Sequence, residues 1–80
     1  MASSKLMDEL KKRYGVKSGT KIYMTIVPGI LSDFKKVLGK AAAGETVTET
    51  YNFEDGNGGV VVTGSRDASG NMQIEAHLKK

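Results

Sequence analysis

Residues 46–78, TVTETYNFEDGNGGVVVTGSRDASGNMQIEAHL, alternate apolar and polar side chains and are interrupted twice by runs rich in Asp, Asn and Gly. Alternation with a period of two is typical of strands that bury one face, and the interruptions are typical of hairpin turns. This stretch therefore predicts a three-stranded antiparallel meander.

The register of the strands follows from the parity of the apolar positions. Before the first turn these positions are odd-numbered, as in Tyr51, and after it they are even-numbered, as in Val62. A two-residue turn within residues 55–58 pairs positions of opposite parity and so places both apolar sets on one face. Around the second turn both sets are even-numbered, which requires an odd number of loop residues. The stretch 67–70, DASG, predicts a three-residue loop with Gly70 in the left-handed region.

The first half of the chain has two segments with helical periodicity, residues 4–14 and residues 30–43, the second interrupted by Gly39. Gly39 indicates either close packing against the sheet or an early helix end at Leu38. Between the helices, residues 20–27, TKIYMTIV, alternate β-forming side chains and precede Pro28-Gly29. This pattern predicts a strand that ends at the Pro-Gly pair.

The predicted fold is α+β, a two-layer domain that occupies residues 1–80. Its order is helix-strand-helix followed by the three-stranded antiparallel meander, which gives a four-stranded sheet with both helices on one face. The first strand is parallel either to the second strand or to the last, and the pattern does not decide between these positions.

Composition narrows the function classes. The chain has no Cys, and therefore neither a disulfide framework nor a thiolate metal site. No apolar run reaches the length of a membrane span, and the N-terminus does not resemble a secretory signal. We expect a cytoplasmic protein with no membrane contact.

The sequence motifs do not indicate an enzyme. If Asp55 began a calcium loop, Val60 would stand where Gly is required and Arg66 where Glu is required. The stretch 39–46, GKAAAGET, has the glycine spacing of a phosphate loop but carries Glu in place of Lys. His77 is the only histidine, and no second nitrogen or sulfur ligand accompanies it. We therefore predict no catalytic residue, no cofactor and no metal.

Glu49 is a charge on the predicted apolar face of its strand. With a turn at Gly56-Asn57 it stands opposite Gly64 and diagonal to Arg66, which predicts an ion pair at the end of the sheet. The alternative is a partly buried carboxylate in a cleft between sheet and helices.

The uncovered sheet face is flat and polar, which favours a small non-enzymatic protein-binding module, an adaptor or an inhibitor of the kind that phages and plasmids encode. Strand addition at an open edge is one form of such contact. The predicted partner-binding residues on this face are Tyr23, Thr46, Thr48, Thr50, Thr63, Gln73 and His77.

Charge supplies the alternative function. Residues 1–43 hold nine Lys and Arg against three Asp and Glu, whereas residues 44–80 hold three against six. Basic helices of this kind can bind phosphates, which predicts a nucleic-acid-binding accessory domain as the second hypothesis. The phosphate-binding candidates are Lys11, Lys12, Arg13, Lys17, Lys21, Lys35, Lys36 and Lys40. Self-association also stays open, because a charge-polarised chain can favour contact between copies.

Overall fold

A computed structural model of the chain describes residues 3–53 and 58–79. The described residues form three helices and a three-stranded antiparallel sheet, so the α+β class is confirmed. The elements in chain order are α1 (Ser3–Tyr14), α2 (Val16–Thr25), α3 (Val27–Gly39), β1 (Thr46–Asn52), β2 (Gly59–Arg66) and β3 (Met72–Leu78).

The meander is confirmed together with the parity of both registers. In the first hairpin Tyr51 pairs with Val60, an odd residue with an even one, and in the second Val62 pairs with Ala76. The choice among the three turns within residues 55–58 concerns residues 55–57, which lie outside the described residues. The predicted pairing of Glu49 with Gly64 is wrong, because Glu49 lies opposite Val62.

The second turn has the predicted left-handed glycine. Gly70 has a φ of +89° and donates its N–H to the Asp67 carbonyl oxygen at 3.0 Å. The Asp67 carboxylate accepts from the backbone N–H groups of Asn71 and Ser69, each at 2.9 Å. These bonds, the one from Asn71 foremost, lower the pKa of Asp67 because they favour its charged form.

The predicted strand at residues 20–27 is wrong, because this segment forms most of α2 and the start of α3. Gly15, with a φ of +90°, ends α1 and lets α2 turn back onto it. At Gly19 an added Cβ would lie 2.6 Å from the backbone carbon of Leu10, so the two helices approach closely there. These residues therefore bury one face of a helix, which their high β-propensity does not indicate.

Pro28 was predicted to end that strand, and it instead lies in the first turn of α3. A proline is tolerated there because the first N–H groups of a helix have no partner within the helix. Residues 20–27 therefore contribute no strand, and within the described residues the sheet has three strands rather than four. The question of where the first strand pairs no longer arises.

Gly39 marks the end of α3, earlier than residue 43. An added Cβ there would meet no atom within 4 Å, so close packing against the sheet is not its role. The Arg66 guanidinium donates to the carbonyl oxygen of Leu38 in the last turn of α3 and to that of Ala41 just after the helix. Arg66 thus joins β2 to α3, and the predicted ion pair with Glu49 is not formed.

The core lies between the helices and the sheet. Phe34 of α3 is fully buried, and Gly64 of β2 makes room for its ring, since an added Cβ would stand 2.9 Å from the Phe34 Cε2 atom. α2 contacts α1 and α3 but no described strand. The buried apolar side chains are Leu6, Leu10, Val27, Phe34, Leu38, Phe53, Val60, Val62, Ala76 and Leu78.

Candidate protein-binding surface

The sheet face opposite the helices, called the open face below, is formed by alternate residues of all three strands. Apart from the buried Gly59, its described residues are exposed or half-buried, and the Thr48 and Thr63 hydroxyls lie 3.2 Å apart across β1 and β2. Six of the seven predicted partner-binding residues lie on it: Thr46, Thr48, Thr50, Thr63, Gln73 and His77.

Tyr23 does not belong to the open face. It lies in α2, on the other side of the sheet, where it is partly buried against the core. Its placement on the sheet depended on the strand predicted at residues 20–27, so both predictions are wrong for the same reason.

His77 lies near two carboxylates at the β3 side of the open face. Its Nδ1 atom is 3.8 Å from Glu9 Oε1 of α1, and its Nε2 atom is 3.8 Å from Glu75 Oε2 of the same strand. Among the described residues, no group of three His, Cys, Asp or Glu side chains is arranged to hold a metal ion. The arrangement links α1 to β3 electrostatically when His77 is protonated.

β1 forms one edge of the sheet. Just beyond it, Phe53 donates its N–H to the Gly58 carbonyl oxygen at 2.8 Å, in register with the pairing of β1 and β2. Backbone groups alternate sides along a strand, so the odd-numbered residues of β1 turn their N–H and C=O groups toward β2. The even-numbered residues turn theirs outward, and no described strand pairs with that side. These residues are Thr46, Thr48, Thr50 and Asn52.

We call this row of outward backbone groups the β1 edge. It is seven residues long and contains no Pro and no Lys. Its pairing with β2 runs without an interruption, and therefore without a bulge. Natural sheets commonly protect an edge with a Pro, a Lys or a bulge, and because β1 has none of these, none of them hinders another strand from pairing with the β1 edge.

The helix-facing side of β1 carries an acidic spot. The Tyr51 hydroxyl donates to Asp33 Oδ2 of α3 at 2.8 Å, and Glu49 is exposed next to Tyr51 on the same side of the strand. Partial burial, the bond to Asp33 and the negative charges of Asp33 and Glu49 raise the pKa of Tyr51 to about 12. No Lys or Arg of the described chain forms a salt bridge with either carboxylate.

The structure distributes the phosphate-binding candidates over the three helices. Lys11, Lys12 and Arg13 lie in α1, Lys17 and Lys21 in α2, Lys35 and Lys36 in α3, and Lys40 directly after it. All are exposed except the half-buried Lys11. Arg13 also donates to the Lys79 carbonyl oxygen at 2.8 Å, which ties α1 to the end of β3.

Sequence reasoning missed two features. The apolar side chains of Val16 and Met24 on α2 are 70% and 69% exposed, and the strand interpretation concealed their helical spacing. The bond between Asp33 and Tyr51 joins residues far apart in the chain, and no sequence pattern indicates it.

Comparisons of the chain with protein-family models, with curated proteins and with solved structures found no match. None of the described helices is long and apolar enough to cross a membrane.

Proposed function

We propose that this chain is a small non-enzymatic protein-binding module that captures an extended segment of another protein along the β1 edge. The observation that carries the proposal is the row of outward backbone groups at Thr46, Thr48, Thr50 and Asn52, which no described strand pairs. A partner strand there would complete the sheet as its fourth strand.

Strand addition draws affinity from the backbone and specificity from side chains. Each new backbone hydrogen bond contributes about 0.5–1.5 kcal/mol, so several bonds along β1 are enough for a transient interaction. Alternate side chains of the captured segment would lie beside the threonines of the open face, and the others beside the acidic spot around Tyr51. The open face and the β1 edge thus form one continuous binding surface.

The test separates backbone contacts from side-chain contacts at Thr48. Peptides selected from a displayed random library for binding to the wild-type chain are measured again on Thr48→Pro and on the matched control Thr48→Val. Proline removes the outward N–H while the bonds to β2 remain, whereas valine keeps the N–H and removes only the hydroxyl. We expect Thr48→Pro to abolish binding and Thr48→Val to retain it.

Two results would contradict the proposal. Selected peptides that bind Thr48→Pro as well as wild type would place the binding surface elsewhere. Selected peptides that are lost on Thr63→Lys but kept on Thr48→Pro would assign binding to the middle of the open face rather than to the edge.

Nucleic-acid binding through the helices is the second candidate. The helices α1, α2 and α3 all lie within residues 1–43, where Lys and Arg outnumber Asp and Glu. The helical layer is therefore basic, whereas the strands lie in the acidic half of the chain. A basic layer of this kind binds phosphates in a strongly salt-dependent manner. A fluorescence titration with duplex DNA, single-stranded DNA and RNA at low and near-physiological salt tests it. Absence of binding at low salt would remove this candidate.

A further inference from the structure

Glu49 is the one charged side chain on the helix-facing side of β1, and it lies in the middle of the strand. Its neighbours on that side, Val47 and Tyr51, pack against the core, whereas Glu49 is exposed opposite the buried Val62. An exposed charge in this position contributes little to the stability of the core. It is one of the devices by which natural sheets control what pairs with an edge.

An unpaired edge strand can pair with the same strand of a second copy of the chain. A two-fold dimer through the β1 edge would join two copies of β1 in antiparallel orientation. Because only the even-numbered residues turn their backbone outward, the partner positions can shift only by two residues at a time. Full overlap of Thr46–Asn52 then places Glu49 directly opposite Glu49 of a second copy, with Cα atoms about 4.5 Å apart.

A shift by two residues does not remove the repulsion. Glu49 then faces Val47 or Tyr51 of the second copy, and the two Glu49 residues become diagonal neighbours about 7–8 Å apart. Asp33, which the Tyr51 hydroxyl holds beside β1, adds a further carboxylate to each side of the interface. Every long antiparallel self-pairing therefore brings like charges together on a side with no described cationic partner.

The same charges favour a different occupant. The sheet half of the chain, residues 44–80, carries an excess of acidic residues, and Glu49 and Asp33 lie where a captured strand would direct alternate side chains. A Lys or Arg opposite Glu49 would place opposite charges in a cross-strand pair. An acidic segment would meet the repulsion that a second copy meets.

We propose that Glu49 is the specificity residue of the β1 edge: it prevents pairing with a second copy and selects an extended segment that presents Lys or Arg opposite it. This inference rests on the proposed function, since it concerns which strand the edge accepts.

The first test uses two peptides that differ at one residue. They are TVTETYN, which copies residues 46–52, and TVTKTYN, which has Lys in place of Glu49. Each is immobilised and titrated with wild type, Glu49→Lys and Glu49→Gln. On wild type we expect the Lys peptide to bind about tenfold more tightly than the Glu peptide at low salt, since the central pair changes from repulsive to attractive. The preference should be reversed on Glu49→Lys and lost on Glu49→Gln.

The outcomes separate the two proposals. If both peptides bind with the same order of affinity on wild type and Glu49→Lys, and Thr48→Pro abolishes both, strand addition stands and the specificity role of Glu49 is wrong. If neither peptide binds any variant at millimolar concentration, the edge does not accept such strands. The proposed function then fails, and the inference fails with it.

The second test measures self-pairing. Sedimentation velocity of Glu49→Val should show a dimer that wild type does not form at the same concentration, and Thr48→Pro in the Glu49→Val chain should restore the monomer. A Glu49→Val chain that stays monomeric, or a dimer that survives Thr48→Pro, would overturn the claim that Glu49 blocks pairing along β1.

Discussion

The two edge strands of the sheet, β1 and β3, differ in how closely the helices pack against them. On the β3 side, Ala76 and Leu78 are 4% and 8% exposed, α1 packs against the strand, and Arg13 binds the Lys79 carbonyl oxygen. On the β1 side, all outward-facing residues are exposed, and α3 contacts β1 less extensively than β2. The strand at one edge thus contributes more to the core than the strand at the other.

The largest expected effect concerns the β3 side. Leu78→Ala should lower the free energy of unfolding by about 2–5 kcal/mol, because it removes buried methyl groups beneath the helices and leaves a cavity. The control on the β1 side, Val47→Ala, should cost less, because Val47 is only partly buried. Urea denaturation of both variants measures the difference. Equal losses would mean that the two edges contribute equally to the core.

Proline substitution distinguishes the two sides of β1 itself. Glu49→Pro removes an N–H that faces β2 and should cost about 3 kcal/mol, whereas Thr48→Pro removes one that faces outward and should cost much less. Urea denaturation midpoints compare the two variants, with wild type as reference. A larger loss for Thr48→Pro would show that the outward row has been assigned to the wrong residues.

A substitution at Gly19 tests whether the packing of α1 stabilises β3. Gly19→Ala should destabilise the chain by about 1–3 kcal/mol, since the new methyl group would overlap the backbone of Leu10 and force α1 and α2 apart. Amide hydrogen exchange should accelerate more in β3 than in β1. The matched control is Gly39→Ala, where the added methyl meets no atom within 4 Å, and it should not destabilise the chain. Uniform acceleration in both strands would contradict a specific role of α1 at β3.

The smallest expected effect is the pH dependence that Tyr51 introduces at the β1 side. Its pKa of about 12 in the folded chain lies above the ordinary value of 10.0, so its stabilising contribution is complete below pH 10 and declines as the pH rises toward 12. Tyr51→Phe should cost about 0.5–1.5 kcal/mol at pH 8, through loss of the bond to Asp33. In urea melts this difference should shrink at pH 11. A difference that grows with pH would contradict the direction of the shift.

The regions that sequence reasoning predicted correctly are those in which local and tertiary preferences agree. In residues 46–78 the alternation, the parity of the apolar positions and the turn at Gly70 all favour the same meander. The composition of the open face followed directly from that register. Most of the candidate partner-binding residues were therefore predictable, whereas the β1 edge became identifiable only once the sheet was known to have three strands.

Residues 16–27 show the opposite case. Their β-branched and aromatic side chains favour a strand by propensity, yet Gly19, Ile22 and Tyr23 also recur at helical spacing and pack against other elements. Propensity is a weak preference that burial overrides. The loss of this strand removed Tyr23 from the sheet, and no described strand lies on the outer side of β1.

The amino-acid sequence by itself determined the meander, its register parity, its polar open face and the division of charge between the two halves of the chain. These depend on side-chain period and turn chemistry, which act between residues close together in the chain. The tertiary structure alone decided that α2 is a helix, that Arg66 binds the end of α3 and that no described strand pairs with the β1 edge. Each of these depends on contacts between distant residues, whose burial free energy outweighs local preference.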